Sequence, residues 1–226
     1  METHDRREFI RTALAATCLG CAAVSANGDE ENDMVPAEDV PLGKTGFRVS
    51  PLALGTGFRG WQHESDHTRM GQEAFTRLLR HALDRGVRFI DTADLYGSHA
   101  FVRNALRGVP AEDVFILTKL WPRAADWNRP SGGAKAEVDR FRKELGRDRL
   151  EGCLIHCMEN ERWTSDFARI RDDLSELKDA GVVGCVGVSC HDHGALRVAA
   201  EDPWVDVIFA RINHRLSLIH ISEPTR

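Results

Sequence analysis

An acid, a phenol, an ammonium and an imidazole fall at the ends of three successive apolar segments of this chain. Asp91-Thr92-Ala93-Asp94-Leu95-Tyr96-Gly97 follows Val87-Arg88-Phe89-Ile90, Thr118-Lys119 follows Val114-Phe115-Ile116-Leu117, and His156 follows Cys153-Leu154-Ile155. Such groups suit reduction of a carbonyl, in which a hydride reaches carbon while a proton reaches oxygen. A phenol, with an ordinary pKa of about 10, serves as the proton donor only when that pKa is brought down. A nearby ammonium does this by favouring the phenolate. A carboxylate beside the ammonium keeps it charged and oriented, and an imidazole hydrogen-bonds the substrate oxygen and selects its pose. Asp91, Tyr96, Lys119 and His156 supply one group of each kind, and Tyr96 is the only tyrosine in the chain.

Bringing these residues together requires elements that alternate. Leu42 to Val49 reads as a short hairpin turning near Lys44-Thr45-Gly46, and Leu52-Ala53-Leu54 as a short buried strand followed by Gly55-Thr56-Gly57. Phe75, Leu78, Leu79, Ala82 and Leu83 recur at helical spacing, with Gly86 placed to end that helix. Further strands are expected over Val87–Ile90, Val114–Leu117, Cys153–His156, Val183–Val188 and Trp204–Ala210. Helices are expected over Ala100–Leu106, around Val138, Phe141 and Leu145, around Phe167, Ile170, Leu174 and Leu177, and over Ala195–Ala200.

Strand and helix thus alternate in βαβ units, which build a parallel sheet. A doubly wound sheet fits the count of six units, but polar groups at consecutive strand ends suit a closed barrel, whose strand ends converge on one mouth. A full eight-unit barrel runs to about 250 residues. The expected fold class is therefore α/β, a (β/α)8 TIM barrel truncated after about six β/α units.

Composition bounds the alternatives. Of 226 residues, 42% are hydrophobic and 29% charged, which are globular values, and a net charge of −5 gives no electrostatic footprint for nucleic acid. No body segment has the length of a bilayer-spanning helix. The N-terminus differs. Asp5-Arg6-Arg7-Glu8-Phe9-Ile10-Arg11, a small and apolar run from Thr12 to Ala23, and Val24-Ser25-Ala26 resemble a twin-arginine export signal over residues 1–26, which implies an extracytoplasmic or periplasmic location. Residues 27–39 are acidic and polar and read as a linker to a domain over 40–215.

Cys153, Cys157, Cys185 and Cys190 follow the signal without CxxC spacing and are expected as core thiols. Leu216 to Arg226 (Leu-Ser-Leu-Ile-His-Ile-Ser-Glu-Pro-Thr-Arg) resembles the translation of a transposase sequencing adapter. The native part of the chain is accordingly expected to break off near Arg215 with the last two barrel units missing, and the chain as written, its sheet edges exposed, is expected to be insoluble or inactive.

Residues 40–215 resemble the aldo-keto reductases. The stretches that carry the resemblance are Pro41-Leu42-Gly43-Lys44-Thr45-Gly46, Leu54-Gly55-Thr56-Gly57, Phe89-Ile90-Asp91-Thr92-Ala93-Asp94-Leu95-Tyr96-Gly97, Leu117-Thr118-Lys119, Leu154-Ile155-His156 and Gly187-Val188-Ser189. The resemblance implies a (β/α)8 barrel with NADP(H), or NAD(H), at its C-terminal mouth and hydride transfer between nicotinamide and a small carbonyl or alcohol substrate. It implies that Tyr96 is the general acid/base, that Lys119 and Asp91 tune it, and that His156 orients the substrate. For the cofactor it points to Gly55, Thr56, Gly57, Ser189, Cys190 and Asn213.

The chain departs from the family pattern in three places. Cys190 stands where an amide is expected beside Ser189, Phe209 where a glutamine is common, and Cys157-Met158 where a proline-containing turn is commoner. Trp61, Trp121 and Trp127 are candidate pocket walls. Two other functions compete: a non-catalytic cofactor-sensing or binding module on the same barrel, and a metal-dependent barrel hydrolase using His191-Asp192-His193 with His156 and Asp91.

Overall fold

Short apolar runs separated by amphipathic helices bury most surface when the runs pair side by side and the helices cover them. In the computed structural model, which describes residues 38–122 and 133–210, the chain does this. The expected signal segment, Trp127, Asn213 and residues 216–226 lie outside the described residues. The hairpin strands β1 (Val40–Pro41) and β2 (Arg48–Val49) pair antiparallel. Six further strands follow: β3 (Ala53–Gly55), β4 (Phe89–Asp91), β5 (Phe115–Leu120), β6 (Leu150–Met158), β7 (Val183–Cys190) and β8 (Val207–Ala210).

These six strands form one sheet in the order β3-β4-β5-β6-β7-β8, every pair parallel. The described helices are α1 (Asp66–Arg69), α2 (Gln72–Asp84), α3 (His99–Ala105), α4 (Ala134–Leu145), α5 (Trp163–Asp166), α6 (Ala168–Asp179) and α7 (His193–Glu201). No described helix is long and apolar enough to cross a membrane.

Two observations separate a barrel wall from a doubly wound sheet. A doubly wound sheet reverses strand order at a switch point, and this one never does. It also curls. Phe89 on β4 and Phe209 on β8 have ring centroids 6.1 Å apart, whereas in a flat sheet strands four places apart would lie roughly 19 Å from one another.

The curl gives the sheet an outer and an inner face. Ile90, Ile116, Cys153, Ile155, Val186 and Val188 face the helices, packing with Phe75, Leu79, Val138, Phe141 and Leu174. Phe89, Phe115, Leu117 and Leu154 form a second cluster on the inner face, where the hairpin adds Phe47, its ring 5.1 Å from that of Phe115. Because side chains alternate along a strand, the inner face continues from Phe89 to Asp91, from Leu117 to Lys119 and from Leu154 to His156. Apolar residues fill it below, and polar groups occupy it at the C-terminal strand ends.

The strands differ in length from the sequence expectation. β5 runs on through Leu120, β6 through Met158 and β7 through Cys190, while β8 begins only at Val207. Backbone pairing is indifferent to side-chain polarity, so the ladder continues through Thr118, Lys119, His156 and Ser189, all of them buried. The short helix α1, absent from the expectation, is set by a capping box: Ser65 Oγ accepts from the Thr68 amide while Thr68 Oγ1 accepts from the Ser65 amide.

Candidate active site

Three of the four polar residues are placed by register alone. Asp91 ends β4, Lys119 stands one residue from the end of β5, and His156 stands two from the end of β6. The Lys119 ammonium is nearly sealed from solvent, its side chain 3% exposed, so it requires partners. It donates to Asp91 Oδ1 and, at 3.0 Å, to the Thr92 carbonyl. Stripped of both, a buried ammonium would cost several kcal/mol, of order 3–5. Burial raises the Asp91 carboxyl above its ordinary range, and the Lys119 ammonium opposes that shift.

Tyr96 arrives by another route. It closes a one-turn 3₁₀ helix, Asp94–Tyr96, that follows β4. Its hydroxyl lies 3.4 Å from His156 Nε2, and Lys119 Nζ lies 5.0 Å from the centre of its ring. The ring passes between two glycines. A Cβ on Gly57 would stand 2.2 Å from Tyr96 Cε2, and one on Gly60 would stand 2.4 Å from Cδ1. No real Cβ tolerates such distances, so only glycine fits either position. Behind the ring, Arg140 on α4 donates to Asp94 Oδ1 at 2.9 Å, and His63 Nδ1 is 3.0 Å from the Asp94 carbonyl oxygen. Arg140 also donates to Glu144 Oε1 at 2.8 Å, and the far oxygen of Glu144 lies 2.7 Å from Nδ1 of buried His99. His99 Nε2 returns to the sheet at Thr118 Oγ1, 2.8 Å away. The phenol is thus tied through α3 and α4 to the strand that carries Lys119.

This geometry places a phenol, an imidazole and an ion-paired ammonium at the C-terminal ends of consecutive barrel strands. Compared with known proteins, residues 51–223 match the model of the aldo/keto reductase family. The chain belongs to that family. A curated aldo-keto reductase from Mycolicibacterium smegmatis is 32% identical over 71% of this chain and 53% of its own length, so the chain spans about half the length of that relative. The crystal structure of an aldo/keto reductase from Brucella melitensis superposes with a TM-score of 0.58 at 25% identity, over 77% of this chain and 62% of that one. An aldo-keto reductase from Klebsiella pneumoniae, solved in complex with NADPH, shares the fold with a TM-score of 0.51 at 21% identity, over 67% of this chain and 49% of that one.

The remaining expected site residues of this aldo/keto reductase divide into several groups. Gly55 is exposed, with open space where a Cβ would stand. Thr56 is fully buried and its polar atoms are engaged internally: its amide and hydroxyl donate to the Asp91 carbonyl at 2.9 and 3.0 Å, and the hydroxyl also meets Ser98 Oγ at 2.8 Å. Gly57 accommodates the Tyr96 ring. Ser189 Oγ, on the inner face, accepts from the Cys157 amide at 2.8 Å. Cys190 is buried in the outer, helix-facing cluster.

Trp61 and Trp121 are in edge contact, 5.4 Å between centroids, and Trp121 in turn lies 5.7 Å from His156. Phe209 presents its ring 5.2 Å from the Lys119 ammonium. Among the described residues no cluster of three or more His, Cys, Asp or Glu side chains is arranged to hold a metal. Asp192 instead caps α7 by accepting from the Ala195 amide, and His191 Nε2 meets Cys157 Sγ. Sequence reasoning missed Gly60, His63, His99 and Arg140. Gly60 and His63 sit in a loop without periodicity, and Arg140 reads as one more surface charge on a helix.

Proposed function

We propose that the protein is an NADP(H)-dependent oxidoreductase that interconverts a small carbonyl compound and its alcohol, with Tyr96 as the general acid/base. The observation that carries this reading is the meeting of the Tyr96 hydroxyl and His156 Nε2, 3.4 Å apart, beside the buried Lys119–Asp91 pair.

In the reduction direction the Tyr96 O–H donates its proton to the carbonyl oxygen. Lys119 favours the resulting phenolate by its charge, and Asp91 holds the ammonium in place. His156, with its proton on Nε2, donates to the same carbonyl oxygen and fixes its approach. Trp61 and Trp121 offer an apolar wall for the rest of the substrate. The residues present fit a nicotinamide ring: the space over Gly55 is open, and Ser189, having accepted the Cys157 amide, keeps its O–H as a donor to a carboxamide oxygen. Bound there, the cofactor supplies the hydride. NADPH is the cofactor in the complex of the Klebsiella protein that shares this fold.

The test is product stoichiometry in the purified protein: one NADPH consumed for each aldehyde converted to alcohol. NADPH binding without turnover would favour the sensing module, and chelator-sensitive hydrolysis would favour the metal enzyme. We propose further that residues 1–26 direct export. Cell fractionation checks it, and a protein retained in the cytoplasm contradicts it.

A further inference from the structure

Ser98 stands immediately before α3, where a serine hydroxyl ordinarily accepts a backbone amide and caps the helix. It makes no such bond. Its hydroxyl turns instead towards the sheet, 2.6 Å from Thr92 Oγ1 and 2.8 Å from Thr56 Oγ1. All three side chains are fully buried. A hydroxyl carries a single proton, so the direction of this chain is fixed from its end. Thr56 donates to the Asp91 carbonyl at 3.0 Å, and a carbonyl can only accept. Thr56 Oγ1 must therefore accept from Ser98, and Ser98, its proton spent, must accept from Thr92. The chain starts on Thr92 and returns to the carbonyl of Asp91, so it closes around the Asp91–Thr92 peptide.

That peptide stands behind the ion pair. The Lys119 ammonium donates to the Asp91 carboxylate and, at 3.0 Å, to the Thr92 carbonyl, so these two acceptors flank the peptide that the hydroxyls hold. Thr56 is held from other sides as well: its amide donates to the Asp91 carbonyl and its carbonyl accepts from Ser65 Oγ, each at 2.9 Å. The next residue, Gly57, is one of the two that admit the Tyr96 ring. We propose that Ser98 is a positioning residue for proton transfer, its hydroxyl fixing the Asp91–Thr92 peptide and with it the Lys119 ammonium relative to the Tyr96 phenol. The proposal rests on the reading above that Tyr96 moves the proton. Around the phenol stand Lys119 with Asp91, His156, and Asp94 with Arg140 and His63 behind its turn; of these, the ammonium is the charge that the hydroxyl chain governs. Without the chain the Thr92 carbonyl is free to turn. The ammonium then settles on the Asp91 carboxylate alone, and the field it exerts on the phenol weakens.

Tyr96 is the only tyrosine of the chain, so ultraviolet titration of the full chain reads its ionisation directly, without cofactor or substrate. The wild-type phenol should ionise below its ordinary value of about 10. Ser98→Ala should move that midpoint up by about one pH unit, leaving about tenfold less phenolate at a given pH below both midpoints. The same variant should slow single-turnover reduction of 4-nitrobenzaldehyde by NADPH about tenfold with NADPH affinity unchanged. Thr92→Val, which removes a hydroxyl and keeps the shape, should shift the titration in the same direction, whereas Thr92→Ser, which keeps the hydroxyl, should titrate as the wild type does. A purely structural role would lower the folded fraction without moving the midpoint of the folded protein. A wild-type phenol that ionises at about 10, a Ser98→Ala midpoint equal to that of the wild type, or a Thr92→Ser midpoint matching that of Thr92→Val would each overturn the proposal. If Ser98→Ala fails to fold, seen as loss of the native tryptophan fluorescence, the two Thr92 variants decide alone. Failure of the carbonyl-reduction reading is distinct, because it shows as absent NADPH consumption by the wild type and leaves the titration readable.

Discussion

Three of the four polar groups at the barrel mouth ride on strands and the fourth rides on a turn, and the two arrangements are held by different forces. Asp91, Lys119 and His156 are fixed by parallel ladders whose opposite face is packed against helices. Displacing any of them means breaking the sheet. Tyr96 has no ladder. Its ring is located by the absence of two β-carbons, at Gly57 and Gly60, and its turn by Asp94 reaching Arg140. The strand-borne charges are therefore built into the stability of the barrel wall, whereas the phenol is placed by contacts that contribute little to stability and much to geometry. Substituting the strand-borne charges themselves should register in both folding and chemistry; displacing the Tyr96 ring should register mainly in chemistry.

The largest effect is expected at Lys119. Lys119→Met leaves the Asp91 carboxyl buried without its partner and removes the charge beside Tyr96. Unfolding in urea should show a loss of about 3–5 kcal/mol, and turnover should fall about 10²–10⁴-fold. The double variant Lys119→Met/Asp91→Asn should regain much of the stability and none of the turnover. Recovery of both would mean that the ion pair is structural only.

Next in size is a contrast between Gly60→Ala and Ile155→Ala. The first drives a methyl group into the Tyr96 ring; a misplacement of about 1 Å can lower kcat about 10²-fold, with the melting temperature little changed. The second empties a fully buried position in the outer cluster and should cost about 2–5 kcal/mol while folded protein keeps its kcat. Equal damage to stability from both would erase the distinction between wall and turn.

The smallest effect lies behind the turn. Burial raises the Glu144 carboxyl, but hydrogen bonds from His99 and Arg140 outweigh it and hold the group down to about 2, against an ordinary 4.5. A carboxyl depressed on folding contributes its full stability above about pH 4.5 and loses it as pH falls towards 2. Acid unfolding of Glu144→Gln should therefore begin from a lower stability at neutral pH and fall less steeply between those values. Parallel acid limbs for the two proteins would remove Glu144 from the support of the turn.

The same division decides how much could be read from the sequence. Strand-borne residues were legible because period-two burial leaves a mark: Phe89, Leu117 and Leu154 each precede a polar residue two positions on, so the inner face and its polar rim can be counted along the chain. The six parallel strands are legible for the same reason, although hydrophobicity alone ends three of them early, before Lys119, at His156 and before Ser189. Polarity ends a hydrophobic run but does not end a hydrogen-bonded ladder.

The roles of Gly57 and Gly60 were not legible. The Gly55-Thr56-Gly57 stretch points to a cofactor approach at Gly57, whereas the ring that fills its space comes from 39 residues further along the chain. His99, Glu144 and Arg140 carry no local signal, because what defines them is a chain of side-chain contacts spanning two helices. Cys190 shows the converse: it follows Ser189 in sequence, but alternation sends it to the helix-facing side.

The central claim, that a turn-borne phenol moves the proton while strand-borne charges support it, is tested most directly by Tyr96→Phe. This variant deletes one oxygen and leaves the ring between its two glycines. Measured with saturating NADPH and an aldehyde, kcat should fall about 10²–10⁴-fold while NADPH affinity and the urea midpoint stay at their wild-type values. A Tyr96→Phe protein that reduces aldehyde at the wild-type rate would contradict the account.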